Sequence, residues 1–444
     1  MHGDSPDARR ADGCTDGAIM RMANRGTADN TATRGKKRMP LRDIIRPRLG
    51  SSTAESVPGI LRAIRQHLEM DVAFVSRFAE GLRVFEHVDS GLDAPLIRAG
   101  DTDPLEETFC ARLADGRLPL VINDSSQYPD TAKLALCRRL PVGAYLGAPI
   151  VLPNRQLYGT VCCFSRRPMA MTNRDQAIIR IIADLIAGRV QKEADTEQAE
   201  SEMIGRVRQV LDGDGLSMVY QPIVDVANEQ VAGYECLSRF SAAPLRGPDE
   251  WFREAAAVGL CDDLELLAIR KALNGLDGLG QDPYVSLNIS PGIPAERLID
   301  SLHGFPLERI VLEITEHEAI EEYDAVRAML APLRKLGVRI AIDDAGAGYS
   351  SFRHILRLQP HFIKLDISLT RDIDTDPGKR ALATAVVRFG NDTGSEIVAE
   401  GVETAAEFAA LRELGAHKAQ GYYLGHPKPL AAAIADGSTA RRLP

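Results

Sequence analysis

From Ser217 onward the chain repeats one device: a short apolar run closes on a polar residue able to bind metal or phosphate, and an amphipathic stretch follows. The closing residues are Glu235 in GYE, Asn288 in YVSLN, Glu313 in IVLE and Asp343-Asp344 in RIAIDD, then Lys364 in HFIK, Glu400 in EIVAE and Gln420 in HKAQ. Their intervals of 53, 25, 30, 21, 36 and 20 residues suit strand-plus-helix units. Runs such as VSL, IVL and IAI are continuous rather than alternating, as buried parallel strands are. A (β/α)8 barrel gathers polar groups at the C-terminal ends of its strands, and the roughly 235 residues that remain match one such barrel.

The chemistry of that set is narrow. Carboxylates and an Asn amide gather with one Lys and hardly any His. Hard oxygen donors without thiolate or imidazole select Mg2+ or Mn2+ over zinc or iron. In an adjacent Asp-Asp pair one carboxylate can bridge two ions while its neighbour binds the second. Two ions ~3.5–4 Å apart can generate a hydroxide and clamp the attacking and leaving oxygens of a phosphodiester. A lysine beside them can hold the nucleophilic water or neutralise phosphoryl charge. Any one of these carboxylates alone would read as a helix cap or a surface group. The ordered set at successive strand ends reads as two-metal phosphodiester hydrolysis.

The 444 residues predict two or three domains, of which a large barrel takes one. With 45% hydrophobic and 26% charged residues the composition is that of a globular chain. The longest apolar stretches, such as 178–188, are broken by Arg180 and Asp184, so no membrane span is expected. Lys and Arg total 53 against 62 Asp and Glu, a net charge of −9 that argues against a nucleic-acid polymer as partner. The seven cysteines (14, 110, 137, 162, 163, 236, 261) form no C-x-x-C pair and read as reduced thiols of a cytoplasmic protein.

Residues 1–48 carry short irregular polar runs and read as a disordered tail without a secretory signal; Met20, Met22 or Met39 are alternative starts. Val57, Ile60, Leu61, Ile64 and Leu68 then recur at helical spacing, with Ser51, Ser52 or Thr53 as the expected cap. DVAFVSRF (71–78) and GLRVFEHV (81–88) read as paired strands, and 143–152 with 156–164 as a hairpin about Pro153-Asn154-Arg155. A helix follows Thr172-Asn173, with Ile178, Ile181, Ile182, Leu185 and Ile186 as its apolar stripe. Polar helix formers at 191–202 continue it outward, and Met203, Ile204, Val207, Val210 and Leu211 predict a short coiled-coil seam with a second chain. The expected plan is therefore a tail (1–48), an α+β sensory unit (49–190), a helical linker (191–212) and the barrel (213–444).

The segments 109–124, 144–164 and the closing helix resemble a GAF domain, a small-molecule sensor fold, over about 50–190. That resemblance implies an antiparallel sheet with helices on one side and a ligand pocket on the other, for an unidentified small-molecule or redox signal. Cys162-Cys163 and His87 read first as ordinary strand residues; a redox element and a haem ligand are the functional alternatives.

The second half resembles the EAL-domain family, the cyclic di-GMP phosphodiesterases, over about 215–432. YQPIVDV (220–226), YECLSRF (234–240), VSLNIS, LEITE (312–316), IAIDD with AGAGYSSF, IKLD (363–366), VAEGVET (398–404) and AQGYYLGHP (419–427) follow in the family's order. The resemblance implies hydrolysis of cyclic di-GMP to linear pGpG by a homodimer with two Mg2+ or Mn2+ ions. Carried onto this chain, Glu235, Asn288, Glu313 and Asp343 would hold one ion, and Asp343, Asp344 and Glu400 the other. Lys364 would contact the nucleophilic water, and Glu400 could act as general base. Gln221, Arg239 and Gln420 would contact substrate, and Glu316, Asp366 and Glu403 would orient loops and ligands from behind. Two departures stand out: Cys236 replaces the signature Ala, and Ala345 replaces a Phe on the loop that in the family links the metal site to the dimer interface. The alternatives are a receptor that binds cyclic di-GMP without useful turnover, or a phosphodiesterase for linear dinucleotides. No Gly-Gly-Asp-Glu-Phe segment or His-Asp site is present, so synthesis and the His-Asp hydrolase class are not expected.

Overall fold

The structure, a computed structural model, describes residues 56–132, 134, 140–314, 323–345 and 350–438. The expected tail, Cys14, Cys137, Glu316, His317 and Ala347 lie outside the described residues. The chain divides into two compact units, Met1–Gln191 and Lys192–Pro444.

In the first unit the alternating segments pair as one antiparallel sheet: β1 (Val72–Ala79), β2 (Leu82–Ser90), β3 (Thr102–Pro104), β4 (Val121–Ile122), β5 (Ala144–Val151) and β6 (Leu157–Ser165). The order is β3-β2-β1-β6-β5-β4, so both predicted pairs form and β1 and β6 meet at the centre. Side chains two apart share a face of a strand. Ala73, Val75, Leu146, Ala148, Val161 and Cys163 therefore pack under the helices Val57–Leu68 and Asn173–Asp212. Phe74, Phe85, Tyr145, Cys162 and Phe164 face the other way, onto the short helix Phe109–Ala114. That second face is filled by stacked rings, Phe109 on Tyr145 at 5.0 Å and Phe74 edge-on to Phe85 at 5.0 Å.

Two local expectations are corrected. The cap of the first helix is Ser56, whose hydroxyl accepts from the Gly59 amide at 3.3 Å, one residue ahead of Val57. The long helix buries Ile178, Ile179, Ile182, Ala183 and Ile186, whereas Ile181 and Leu185 are 43% and 46% exposed. The i, i+4 row through 178, 182 and 186 faces the sheet, and 181 and 185 fall on its flank.

The second unit is a closed eight-stranded barrel. Its strands are β7 (Leu216–Asp225), β8 (Val231–Phe240), β9 (Tyr284–Ile289), β10 (Ile310–Ile314), β11 (Arg339–Ala345), β12 (Phe362–Leu365), β13 (Glu396–Ala399) and β14 (Lys418–Gln420). They neighbour one another in chain order, and β14 closes on β7, which also pairs with the short β15 (Lys428–Pro429). One strand departs from a regular (β/α)8 barrel, since β7 runs antiparallel to both β8 and β14. A parallel return needs a crossover of a dozen or more residues. Only a tight turn joins β7 to β8, with Asp225 Oδ1 accepting from the Ala227 and Asn228 amides at 3.1 Å each.

The barrel interior is layered. Ile223, Tyr284, Val311, Ala341, Phe362 and Val398 fill its lower level, with Tyr284 stacked on Phe362 at 5.5 Å. Outward-facing Val285, Leu287, Leu312, Ile340, Ile342, Ile363 and Leu365 form the core shared with the surrounding helices. Val207 and Val210, expected at a seam between chains, are instead fully buried in a satellite core of this unit with Leu216, Trp251, Ala255 and Leu264. Their side chains are therefore not free to pair with a second helix.

Gly233 faces the interior where a Cβ would lie 2.6 Å from the Tyr284 ring. Gly233→Ala should therefore destabilise the barrel's urea transition by roughly 1–3 kcal/mol through overpacking. An unchanged midpoint would show that the ring yields freely.

Candidate active site

Period two along the barrel strands places the site. Two residues beyond the lower layer, Val311 is followed by Glu313, Ala341 by Asp343, Phe362 by Lys364 and Val398 by Glu400. Gly233 and Glu235 stand in the same relation on β8, and Ile223 and Gln221 on the antiparallel β7. Six strands thus turn an apolar floor into a polar mouth within one step of the pleat.

Lys364 is the centre of that mouth and is almost fully buried. Its Nζ lies 2.7 Å from Glu400 Oε1, 2.8 Å from Glu313 Oε2, 2.9 Å from Asp343 Oδ1 and 3.8 Å from Glu235 Oε2. The carboxylates are themselves held. Ser286 Oγ donates to Glu313 Oε1, Asn288 Nδ2 to Glu235 Oε1 at 3.5 Å, and Gln420 Nε2 to Glu235 Oε2 at 2.6 Å. Gln420 Nε2 also donates to Gln221 Oε1 at 3.1 Å, and Gln221 donates to the Gly425 carbonyl.

Asp343 and Asp344 occupy an irregularity in the β11–β12 ladder. Ile342 pairs with Ile363 and Ala345 with Leu365, leaving two aspartates opposite the single Lys364. Asp344 takes the left-handed conformation, φ +55°, which a short polar side chain tolerates better than a branched one. In an unbroken strand Asp344 would point out toward the helices. The extra residue instead lets it line the same cleft as Asp343. Ala345 then resumes the outward direction and is buried in the helix-facing core.

Oxygens of Asp343, Asp344 and Glu400 come within 4.8 Å of one another. Around one ammonium stand Glu235, Glu313, Asp343 and Glu400, so negative charge is in excess before Asp344 is added. The excess is felt in the acid–base properties. Burial pushes the Glu313 and Glu400 carboxyls up, with neighbouring carboxylates adding to it and Lys364 opposing it. Burial alone would lower Lys364, but Asp343, Glu235, Glu313 and Glu400 together hold it well above the usual lysine range. Among the described residues the donor set is oxygen-only, with surplus negative charge and no thiol or imidazole, which fits hard divalent cations.

The cleft of about 420 Å³ holding these groups is also lined by Gln221, Gln420, Asp366, Glu403 and Tyr422. A neighbouring cleft of about 610 Å³ contains Asn288, Arg239, Phe252 and Glu265, and Leu237 lines both. Arg239 is exposed and donates to the Ser238 carbonyl, away from the acidic cluster. Asp366 caps the following helical turn by accepting from the Ser368 amide at 2.9 Å, and exposed Glu403 pairs with Arg371. The exposed His426 ring lies tilted against Tyr422, 4.3 Å between ring centres.

Three positioning groups escaped the sequence reading. Ser286, two residues before Asn288 on the same face of β9, was open to a period-two argument. Glu407 accepts from the amides of Asp372, Glu403 and Thr404 at 2.8–3.0 Å, and its spacing from Thr404 is that of a capping box. Glu265 accepts from the Ser290 amide and hydroxyl, fixing the turn after Asn288, and no local motif announces it.

The chain belongs to the EAL-domain family, whose model matches residues 204–427. The GAF domain model matches residues 54–190. NbdA of Pseudomonas aeruginosa, a cyclic di-GMP phosphodiesterase, is 33% identical over 246 residues, 52% of this chain and 31% of that protein. MucR of the same organism, a bifunctional diguanylate cyclase/cyclic di-GMP phosphodiesterase, is 32% identical over 253 residues, 54% of this chain and 37% of that one. The uncharacterized Rv1354c of Mycobacterium tuberculosis is 31% identical over 253 residues, 54% and 40% of the two chains. The chain thus matches 40% or less of the length of these curated relatives. Among solved structures, the EAL enzyme Bd1971 with cAMP and cyclic di-GMP bound shares the fold, with a TM-score of 0.52 at 19% identity over 83% of this chain and 93% of that one. Among the described residues no helix is long and apolar enough to cross a membrane.

Glu313 and Glu400 bind their protons more tightly folded than unfolded. Such a raised carboxyl favours the folded state at pH below its unfolded value of about 4.3, and that contribution is lost as pH rises through the folded value. In EDTA the melting temperature of the barrel should therefore fall as pH rises through the range where these two carboxyls ionise. Mn2+ should stabilise most at the high end of that range. A melting temperature equally insensitive to pH with and without Mn2+ would contradict this electrostatic reading.

Proposed function

We propose that the barrel hydrolyses cyclic di-GMP to linear pGpG, using two Mg2+ or Mn2+ ions. The observation that carries this reading is the ring of Glu235, Glu313, Asp343 and Glu400 about the buried Lys364, with Asp344 turned into the same cleft. The two relatives named as cyclic di-GMP phosphodiesterases, at 32–33% identity over the barrel half, support the choice of substrate.

Glu235, Asn288, Glu313 and Asp343 would hold one ion, and Asp343, Asp344 and Glu400 the other. Bound there, the ions supply Lewis acidity that lowers the pKa of water and neutralises charge on the phosphoryl oxygens. The chain's own groups do the rest. Lys364 presents a fixed ammonium where negative charge grows during attack, and its burial keeps that field strong. Glu400, 2.7 Å from Lys364 and with its carboxyl raised, would take a proton from the attacking water. Gln420 holds Glu235 and is itself tied to Gln221, and both border the cleft where a nucleobase would lie. Exposed Arg239, in the adjoining cleft, would meet a phosphate. Asp366, Glu403 and Glu407 order the backbone at the rim. In the whole protein the first unit would act as the sensor and the barrels would work as a homodimer in the cytoplasm.

The test is product analysis by chromatography after incubating the purified chain with cyclic di-GMP and Mn2+ or Mg2+. Wild type should yield pGpG, Glu235→Ala none, and Lys364→Met should lose at least about 100-fold in rate. Tight binding of cyclic di-GMP without product at either metal would replace the hydrolase with a receptor. Turnover of linear dinucleotides alone would move the substrate class.

A further inference from the structure

The first unit carries a buried polar cluster that the barrel's chemistry does not use. Arg83, Cys110, Tyr145, Cys162, Ser76 and Thr160 meet beneath the sheet, all almost fully buried. Cys110 Sγ and Cys162 Sγ are 3.9 Å apart. The Tyr145 hydroxyl lies 2.8 Å from Cys162 Sγ and 3.4 Å from Cys110 Sγ, bridging the two. Arg83 Nη1 donates to Cys110 Sγ at 3.3 Å, while Nη2 pairs with Asp103. The guanidinium lies over the Phe85 ring at 4.2 Å, which fixes its plane.

We propose that Cys110 and Cys162 form a peroxide-responsive dithiol, oxidised reversibly to a disulfide within the first unit. The Cys110 sulfur attacks one oxygen of hydrogen peroxide, forming S–O and breaking O–O, and the departing hydroxide takes the Cys110 proton as water. The Cys162 sulfur then attacks the sulfenic sulfur of Cys110. S–S forms, S–O breaks, and the second hydroxide takes the Cys162 proton through the bridging Tyr145 hydroxyl. Two thiols lose two electrons and one peroxide becomes two waters. Hydrogen peroxide, neutral and small, is an oxidant that a brief opening of such a site can admit.

The two sulfurs are not equivalent, as the order of attack requires. Burial works against a Cys110 thiolate, but hydrogen bonding from Cys162 and the charge of Arg83 hold it well below the usual thiol range. Burial and the neighbouring Cys110 push Cys162 well above it. Nucleophilic sulfur and resolving thiol are thereby distinguished. Cys163, on the opposite face of β6, faces the helices and has no part in the pair.

This gives the sensory reading of the first unit a chemical class and rests on that reading for its biological use, but the chemistry is read on the sulfurs themselves. The full chain, reduced and then treated with hydrogen peroxide, is digested without reductant and analysed by mass spectrometry alongside a count of its seven thiols. The expected result is a Cys110–Cys162 linked peptide, loss of two thiols, and reversal by dithiothreitol. Cys162→Ser should stop at a Cys110 sulfenic acid trapped by dimedone, and Cys163→Ser should still link. Absence of the linked peptide in wild type, or dimedone labelling spread equally over the other cysteines, would overturn the proposal. A linked pair with an unchanged rate of cyclic di-GMP hydrolysis supports the dithiol and counts against the sensory reading alone.

Discussion

The buried ammonium of Lys364 is the constraint around which the barrel is built. A lysine taken wholly out of water carries a desolvation cost of several kcal/mol, and only closely placed opposite charge offsets it. Three carboxylates within hydrogen-bonding distance and a fourth at 3.8 Å do so. They overshoot. One positive charge leaves the cluster negative, and burial, with that surplus adding to it, keeps the protons on Glu313 and Glu400 tight. The same imbalance that weakens the acidic cluster is what fits it to hard divalent ions. Stability and function are here opposite readings of one charge count.

Apart from their contacts with Lys364, Glu313 and Glu235 are each tied to a strand neighbour and Asp343 to the backbone beside it. Ser286 holds Glu313 across the β9–β10 ladder, and Asn288 and Gln420 hold Glu235 from either side. Asp343 accepts from the amide of Asp344, which the left-handed turn at that residue permits. For the proposed reaction, preorganisation of this kind removes the need to gather mutually repelling groups when substrate arrives.

Sequence periodicity made much of this legible, for a physical reason. A barrel strand is buried on both faces, so it reads as an unbroken apolar run, and a polar residue at its end is conspicuous. Glu313, Asp343, Lys364 and Glu400 were visible on that ground, and the structure brings all of them to one point. What periodicity could not reveal depends on backbone exceptions or on distant pairing. The direction of β7 follows from a turn too short for a crossover. The bulge at Asp343-Asp344 breaks the alternation that would otherwise assign Asp344 to the outer face. Arg83, Cys110 and Cys162 are far apart in sequence and meet only when the sheet forms. The expected seam at Val207 and Val210 failed because heptad spacing records an apolar stripe without saying what will cover it.

The two departures from the EAL signature take on a common meaning once the pleat is followed. Glu235 points inward, so Cys236 points outward, and the bulge gives Ala345 the same direction. Both are buried in the layer between strands and helices, with neither among the donors around Lys364. A Cys in place of Ala adds one sulfur to that layer, where a thiol behaves as a small apolar group. An Ala in place of Phe removes a ring's volume from that layer immediately beside Asp343 and Asp344. Any influence on the proposed turnover must therefore pass through how firmly the backbone of β11 holds its two aspartates. The carboxylate set itself is untouched by either departure, so the proposed ion site and the proposed rate of turnover are separable questions.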